Sequence, residues 1–105
     1  MVEIPVNVLE NINKFITELK KSNLTIDQAI LFGSYAQGTN HEWSDIDLAI
    51  ISSDFTGFRY IDYDRFINAI RLSDSAIEPI AYRPEDFTDD NLFVKEILAL
   101  GIRII

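Results

Sequence analysis

The sequence predicts an α/β (α+β) fold in which helices pack on one small β-sheet. Three observations carry this expectation. Helical and strand periodicities alternate along the chain. The 105 residues fill one domain of ordinary size, 1–105, with no repeat, linker or low-complexity tract dividing it. With 48% hydrophobic and 25% charged residues, the chain has the apolar surface a packed core requires.

The elements follow in order. Val6, Leu9, Ile12, Ile16 and Leu19 recur at three and four, Pro5 suits a first helical turn and Lys20 and Lys21 a last one, so residues 5–22 read as an amphipathic helix. Ala29, Ile30, Leu31 and Phe32 form a short buried strand ended by Gly33. The connector that follows is rich in turn and cap formers (Gly33, Ser34, Gly38, Thr39, Asn40, Ser44), and Ser34 to Gln37 could begin a short helix. A second strand runs from Ile46 to Ile51 and a break from Ser52 to Gly57. Tyr63, Phe66, Ile67 and Ile70 then give the stripe of a helix from about Tyr60 to Leu72. Ala76 to Tyr82 reads as a third strand, with Pro79 marking it as an edge or a bulge, because proline cannot donate to a ladder. Phe93, Ile97, Leu98 and Leu100 support a last helix, capped near Asp90 or Asn91 and stopped by Gly101, before a terminal strand over 102–105.

Composition narrows the function. Seventeen acidic against nine basic side chains give a net charge of -8, which repels a phosphate backbone and argues against direct nucleic-acid binding. Without cysteine and with His41 as the single histidine, disulfides, thiolate chemistry and multi-histidine metal sites are excluded, so any metal is held by oxygen. No apolar run approaches membrane-spanning length and the N-terminus lacks a basic-then-apolar leader, so a soluble cytoplasmic protein is expected, with no membrane partner.

One constellation carries chemistry. Asp45 and Asp47 stand two apart at the start of an apolar strand, which turns both carboxylates to one face while Ile46, Leu48 and Ile50 take the other. Two like charges held together call for a cation, and magnesium, which takes one or two carboxylates plus water and substrate phosphate, suits them. Gly33 and Ser34 close the preceding strand, where glycine lets backbone approach a ligand and the amides and hydroxyl can receive phosphate oxygens. Ten residues separate Ser34 from Asp45, so a phosphate-holding turn would face a metal-holding pair.

The run Phe32-Gly33-Ser34, ten residues, then Asp45-Ile46-Asp47-Leu48 resembles the signature of the DNA polymerase β-like nucleotidyltransferase superfamily. The fuller run GSYAQGTNHEWSDIDLAI is similar to the minimal nucleotidyltransferases, single-domain proteins found as antitoxins beside HEPN-domain toxins. The resemblance implies the small mixed sheet of the polymerase β-like fold. It also implies that Gly33 and Ser34 bind the triphosphate of ATP, that Asp45 and Asp47 hold two Mg2+ ions, and that Ser44 adds a phosphate or capping contact. The family's third carboxylate lies on a following strand, where Glu78 is the candidate and Glu85 and Asp86 its competitors. Family members often carry arginine in the glycine-serine run, where this chain has Tyr35, Ala36 and Gln37. Lys95, Arg59, Arg65 and Arg83 are the cations that could substitute, while Trp43 is expected to pack the connector against its own strand.

The function so implied is a metal-dependent transfer of a nucleoside monophosphate, AMP from ATP, to a hydroxyl of a partner protein. A HEPN-domain toxin is the expected partner, in a hetero-oligomer. The alternatives are an antitoxin acting by binding alone over an idle site, and a small-molecule transferase acting on an antibiotic. A nuclease activity of this chain is not implied, because no arginine precedes His41 as the HEPN motif requires.

Overall fold

The structure is a computed structural model and describes residues 2–105. Its elements in chain order are α1 (Val6–Lys21), β1 (Gln28–Phe32), α2 (Ser34–Gln37), β2 (Ile46–Ile51), α3 (Arg59–Leu72), β3 (Ile77–Tyr82), a 3-10 turn at Pro84–Asp86, α4 (Leu92–Leu100) and β4 (Ile102–Arg103). The four strands form one mixed sheet in the order β3-β2-β1-β4. β1 is antiparallel to both β2 and β4, whereas β2 and β3, joined through α3, are parallel.

Period-two patterning divides the core. Ile46, Leu48 and Ile50 face a larger cluster with Ile12, Phe15, Ile16 and Leu19 of α1 and Phe66 and Ala69 of α3. Ala49 and Ile51 face the other way, into a smaller cluster with Tyr82, Phe87 and Val94 and Ile97 of α4. The sheet therefore carries α1, α3 and the single turn of α2, through Ala36, on one face and the short α4 on the other.

Most elements lie within a residue or two of their expected ends, and the differences have local causes. Pro5 stands just outside α1, where its carbonyl accepts from the amides of Val8 and Leu9. Asn91 caps α4, its side chain accepting from the Phe93 and Val94 amides at 2.9 and 3.2 Å. β3 is an edge strand, as Pro79 suggests. Ladder bonds from Ile46 N to Ala76 O and from Ser52 N to Tyr82 O put the even-numbered amides of β3 toward β2, so the absent N–H of Pro79 falls on the open side. The terminal strand is shorter than 102–105: regular pairing stops at Arg103, although the Ile104 amide still reaches Ala29 O at 2.8 Å.

Three expectations are corrected. In α1, Val6 of the expected stripe is exposed and Leu9 half-buried, while Val8 and Phe15 are buried, because the helix turns that side to the sheet. The buried face of α3 is Asp62, Phe66 and Ala69, while Tyr63 and Ile67 of the expected stripe are 42% and 52% exposed. Trp43 does not pack on its strand; it is 82% exposed on the rim of the connector.

Candidate active site

Strand register brings the site together. Phe32 of β1 pairs with Asp47 of β2, and Asp47 pairs with Glu78 of β3, so these three form one row across the sheet. Residues directly opposite point to the same face. That face is the one α4 only partly covers. Asp45 immediately precedes β2, exposed, two residues from Asp47 and on its side of the strand. Residues more than thirty positions apart in sequence thus meet through pairing alone.

The electrostatics follow from that placement. Desolvation by partial burial is the largest influence on Asp47, and the charges of Asp45 and then Glu78 add to it, so its carboxyl is pushed above the ordinary 3.8. Both expected partners of Asp47 therefore lie close enough to oppose its ionisation. Among the described residues, no group of three or more acidic or histidine side chains is gathered tightly enough to hold an ion unaided. The donor set, all oxygen and mutually repelling, fits a hard dication.

Gly33 is fixed beside this pair. Its φ of 74° and ψ of -151° lie in a region essentially reserved for glycine. A Cβ built there would overlap Oδ2 of Asp47, so the turn after β1 and the carboxylate are in contact only because the side chain is absent. The Gly33 carbonyl accepts from the Ala36 and Gln37 amides at 3.1 and 3.2 Å, folding Ser34 to Gln37 into the single turn of α2. Ser34 itself begins that turn, half-buried. Ser44 has a defined contact: its Oγ accepts from the His41 amide at 2.8 Å and closes the turn that leads into Asp45.

The competitors of Glu78 stand elsewhere. Arg83 donates to both oxygens of Asp86 at 2.7 and 3.1 Å and lies 3.6 Å from Glu85, all beyond the far end of β3. The hydrogen bond from Arg83 holds the Asp86 carboxyl below its usual range. Arg59 is also at that end, its guanidinium 5.5 Å from the Tyr82 ring centroid. Neither arginine replaces the cation missing from the glycine-serine run. A cavity of about 430 Å³, lined by Arg59, Tyr82, Arg83 and Asn91 among others, opens there, remote from the carboxylate row.

Sequence reasoning missed Asp62. It is buried in the first turn of α3 and accepts from Thr56 N and Oγ1 at 2.8 and 2.9 Å and from Gly57 N at 3.0 Å. A Thr-Gly turn followed by a first-turn acid was its one signal. It closes the turn between β2 and α3 and so sets the path of the crossover to β3.

The model of the nucleotidyltransferase domain family matches residues 12–101. A Methanocaldococcus jannaschii relative, named as a candidate protein adenylyltransferase, is 30% identical over 103 residues, covering 94% of this chain and 97% of that protein. The protein adenylyltransferase MntA of Shewanella oneidensis is 46% identical over 44 residues, 42% of this chain; the match spans about a third of that protein's length, 32%. A crystal structure of a toxin-antitoxin with AMP-PNP superposes with a TM-score of 0.55 at 22% identity, over 87% of this chain and 70% of that one, which shows a shared fold. With the family model running from α1 to the end of α4 and a relative aligned along nearly its whole length, the chain belongs to the nucleotidyltransferase domain family.

Proposed function

We propose that the protein transfers AMP from ATP to a hydroxyl of a partner protein, and that this partner is a HEPN-domain toxin for which it is the antitoxin. The observation that carries the reading is the row of Asp47 and Glu78 with Asp45 beside it and Gly33 against it. The names of the two adenylyltransferase relatives support the reaction, and the toxin-antitoxin fold likeness supports the setting.

Two magnesium ions held by Asp45 and Asp47, with Glu78 as third ligand, would polarise the α-phosphate and neutralise charge on the departing pyrophosphate. The remaining roles belong to the chain. Amides of the Gly33-Ser34 turn and the Ser34 hydroxyl receive the β- and γ-phosphate oxygens. Ser44 keeps its O–H free to donate to phosphate while its oxygen holds the turn. Glu78 takes the acceptor's proton as the acceptor oxygen bonds to the α-phosphorus; the bond from phosphorus to the bridging oxygen breaks, and pyrophosphate leaves with the electron pair.

Calorimetry with ATP should show magnesium-dependent binding that disappears in Asp45→Asn/Asp47→Asn. Glu78→Gln should keep that binding within about tenfold and abolish the AMP-sized mass increment on a co-expressed HEPN partner. ATP affinity unchanged by chelator or by a folded double variant would falsify the assignment.

A second reading has its own support. Two of the four candidate cations, Arg59 and Arg83, lie at the wrong end of β3 to neutralise a triphosphate, which favours an antitoxin that acts by covering its toxin. Suppression of toxicity by the double variant, without any mass increment, is the outcome that selects it.

A further inference from the structure

Two cavities flank β3, the edge strand, and both are lined by Arg59 and Ala81. One, of about 80 Å³, lies between α3 and the strand, with Tyr63, Pro79 and Ile80 in its wall. The other is the cavity of about 430 Å³ at the far end of β3. The carboxylate row stands at the near end, and the four residues from Glu78 to Tyr82 span roughly 13 Å along one sheet face. On α3, Arg59, Tyr63 and Ile67 are spaced by four, a single stripe of roughly 12 Å. All three are exposed. Arg59 stands beside Tyr82, and α3 runs back against the strand, so the stripe follows β3 from the large cavity toward the level of Glu78.

We propose that this edge receives an extended segment of the acceptor protein, with the hydroxyl residue at Glu78 and a carboxylate side chain four residues away in the large cavity, against Arg59. The inference rests on the reading of AMP transfer to a partner protein. Geometry sets the spacing. In an extended chain, residues four apart lie roughly 13 Å from each other on one face, which is the offset from Glu78 to Tyr82. Residues one and three from the hydroxyl turn to the opposite face, toward Tyr63 and the smaller cavity, so apolar side chains suit them. Pro79 in the middle of the edge denies a continuous ladder to a second copy of β3, while Ala81 keeps an N–H and a carbonyl on the open side for a single segment.

Chemistry sets the far anchor. Tyr82, in the wall of the large cavity, is only 5% exposed, and its hydroxyl has no hydrogen-bond partner. Buried polar groups are nearly always paired, so this phenol marks a place that a ligand completes. Arg59 lies over the same ring and makes no ion pair among the described residues, whereas Arg83 is engaged by Asp86 and Glu85. Asn91 spends its Oδ1 on the first amides of α4, which leaves its Nδ2 to donate at the positive end of that helix. These are donors, and a carboxylate accepts from all of them. Asp90, the lining acid without an arginine, accepts from Thr88 Oγ1 and is exposed, so water screens its charge.

AMP transfer from magnesium-ATP to synthetic nine-residue peptides tests the inference. Each has tyrosine at its centre, leucine one and three residues from it, alanine two from it, and glutamate or glutamine at both ends, so either chain direction brings an end to Arg59. The glutamate peptide should show a KM about tenfold below that of the glutamine peptide at similar kcat. Arg59→Ala, an exposed substitution, should abolish that advantage while leaving ATP binding and the glutamine peptide unchanged, and Arg59→Glu should transfer the advantage to a peptide with lysine ends. Equal KM values in the wild type, an advantage that survives Arg59→Ala, or transfer to a co-expressed HEPN-domain partner but to no peptide overturns the inference alone. A free chain that sediments as a dimer, and as a monomer in Tyr63→Arg, gives the edge to a second copy and overturns it equally. Absence of transfer to peptides and partner, together with absence of magnesium-dependent ATP binding, overturns the parent reading and the inference with it.

Discussion

Asp47 is the residue on which folding and chemistry make opposite demands. Burial and the charges of Asp45 and Glu78 hold its carboxyl above the ordinary 3.8, so the folded chain keeps a proton that the unfolded chain has already lost. Stability therefore declines as pH rises from the ordinary carboxylate value through the raised folded one, and stays lower above it. Asp47→Asn removes this loss. Its melting temperature at neutral pH should exceed that of the wild type, with the gap closing as pH falls below about 3.8; scanning calorimetry across pH checks this. Magnesium should raise the wild-type value and leave the variant's unchanged. The Asp45 and Asp47 pair was legible in sequence because a period of two on an apolar strand has one geometric outcome. Trp43 was not, because whether a connector residue packs or projects depends on neighbours the local pattern does not name.

Among the elements, α3 shows where periodicity stops informing. Its apolar residues lie on more than one face, so Tyr63 and Ile67 compete with Phe66 and Ala69 for the buried stripe, and only packing on the sheet decides between them. In α1 the same ambiguity is smaller: Ile12, Ile16 and Leu19 of the expected stripe are buried, but Val6 is exposed and Val8 and Phe15 are buried instead. What fixes the start of α3 is the buried Asp62, which holds three donors of the preceding turn. Asp62→Ala leaves those donors unpaired and should cost about 3 kcal/mol, read as a lower urea midpoint at unchanged slope. Asp62→Asn, which keeps one acceptor oxygen, should cost less. A midpoint equal to wild type in Asp62→Ala would mean that water replaces the carboxylate freely.

For the whole molecule, the unequal layers on the two sheet faces set the pattern of internal stability. Two long helices, the α2 turn and the larger cluster cover one face, whereas the nine-residue α4 stands alone on the other, anchored chiefly by Val94 and Ile97. Amide exchange should therefore show α4 opening at lower free energy than α1. Uniform protection of the two helices would contradict this. Alternation of helix and strand made the class of fold readable, but strand order was not, because β4 joins β1 from the far end of the chain through pairing that no local signal announces. The parallel pairing of β2 with β3 has a kinetic consequence. Glu78 reaches Asp47 only after the whole α3 crossover has closed, and loop closure of that length precedes the contact it permits. We expect the carboxylates to meet late, so that their repulsion acts on the native side of the folding barrier. A bound dication would accordingly lengthen the lifetime of the folded chain, by slowing unfolding, and leave the speed of its first formation almost untouched.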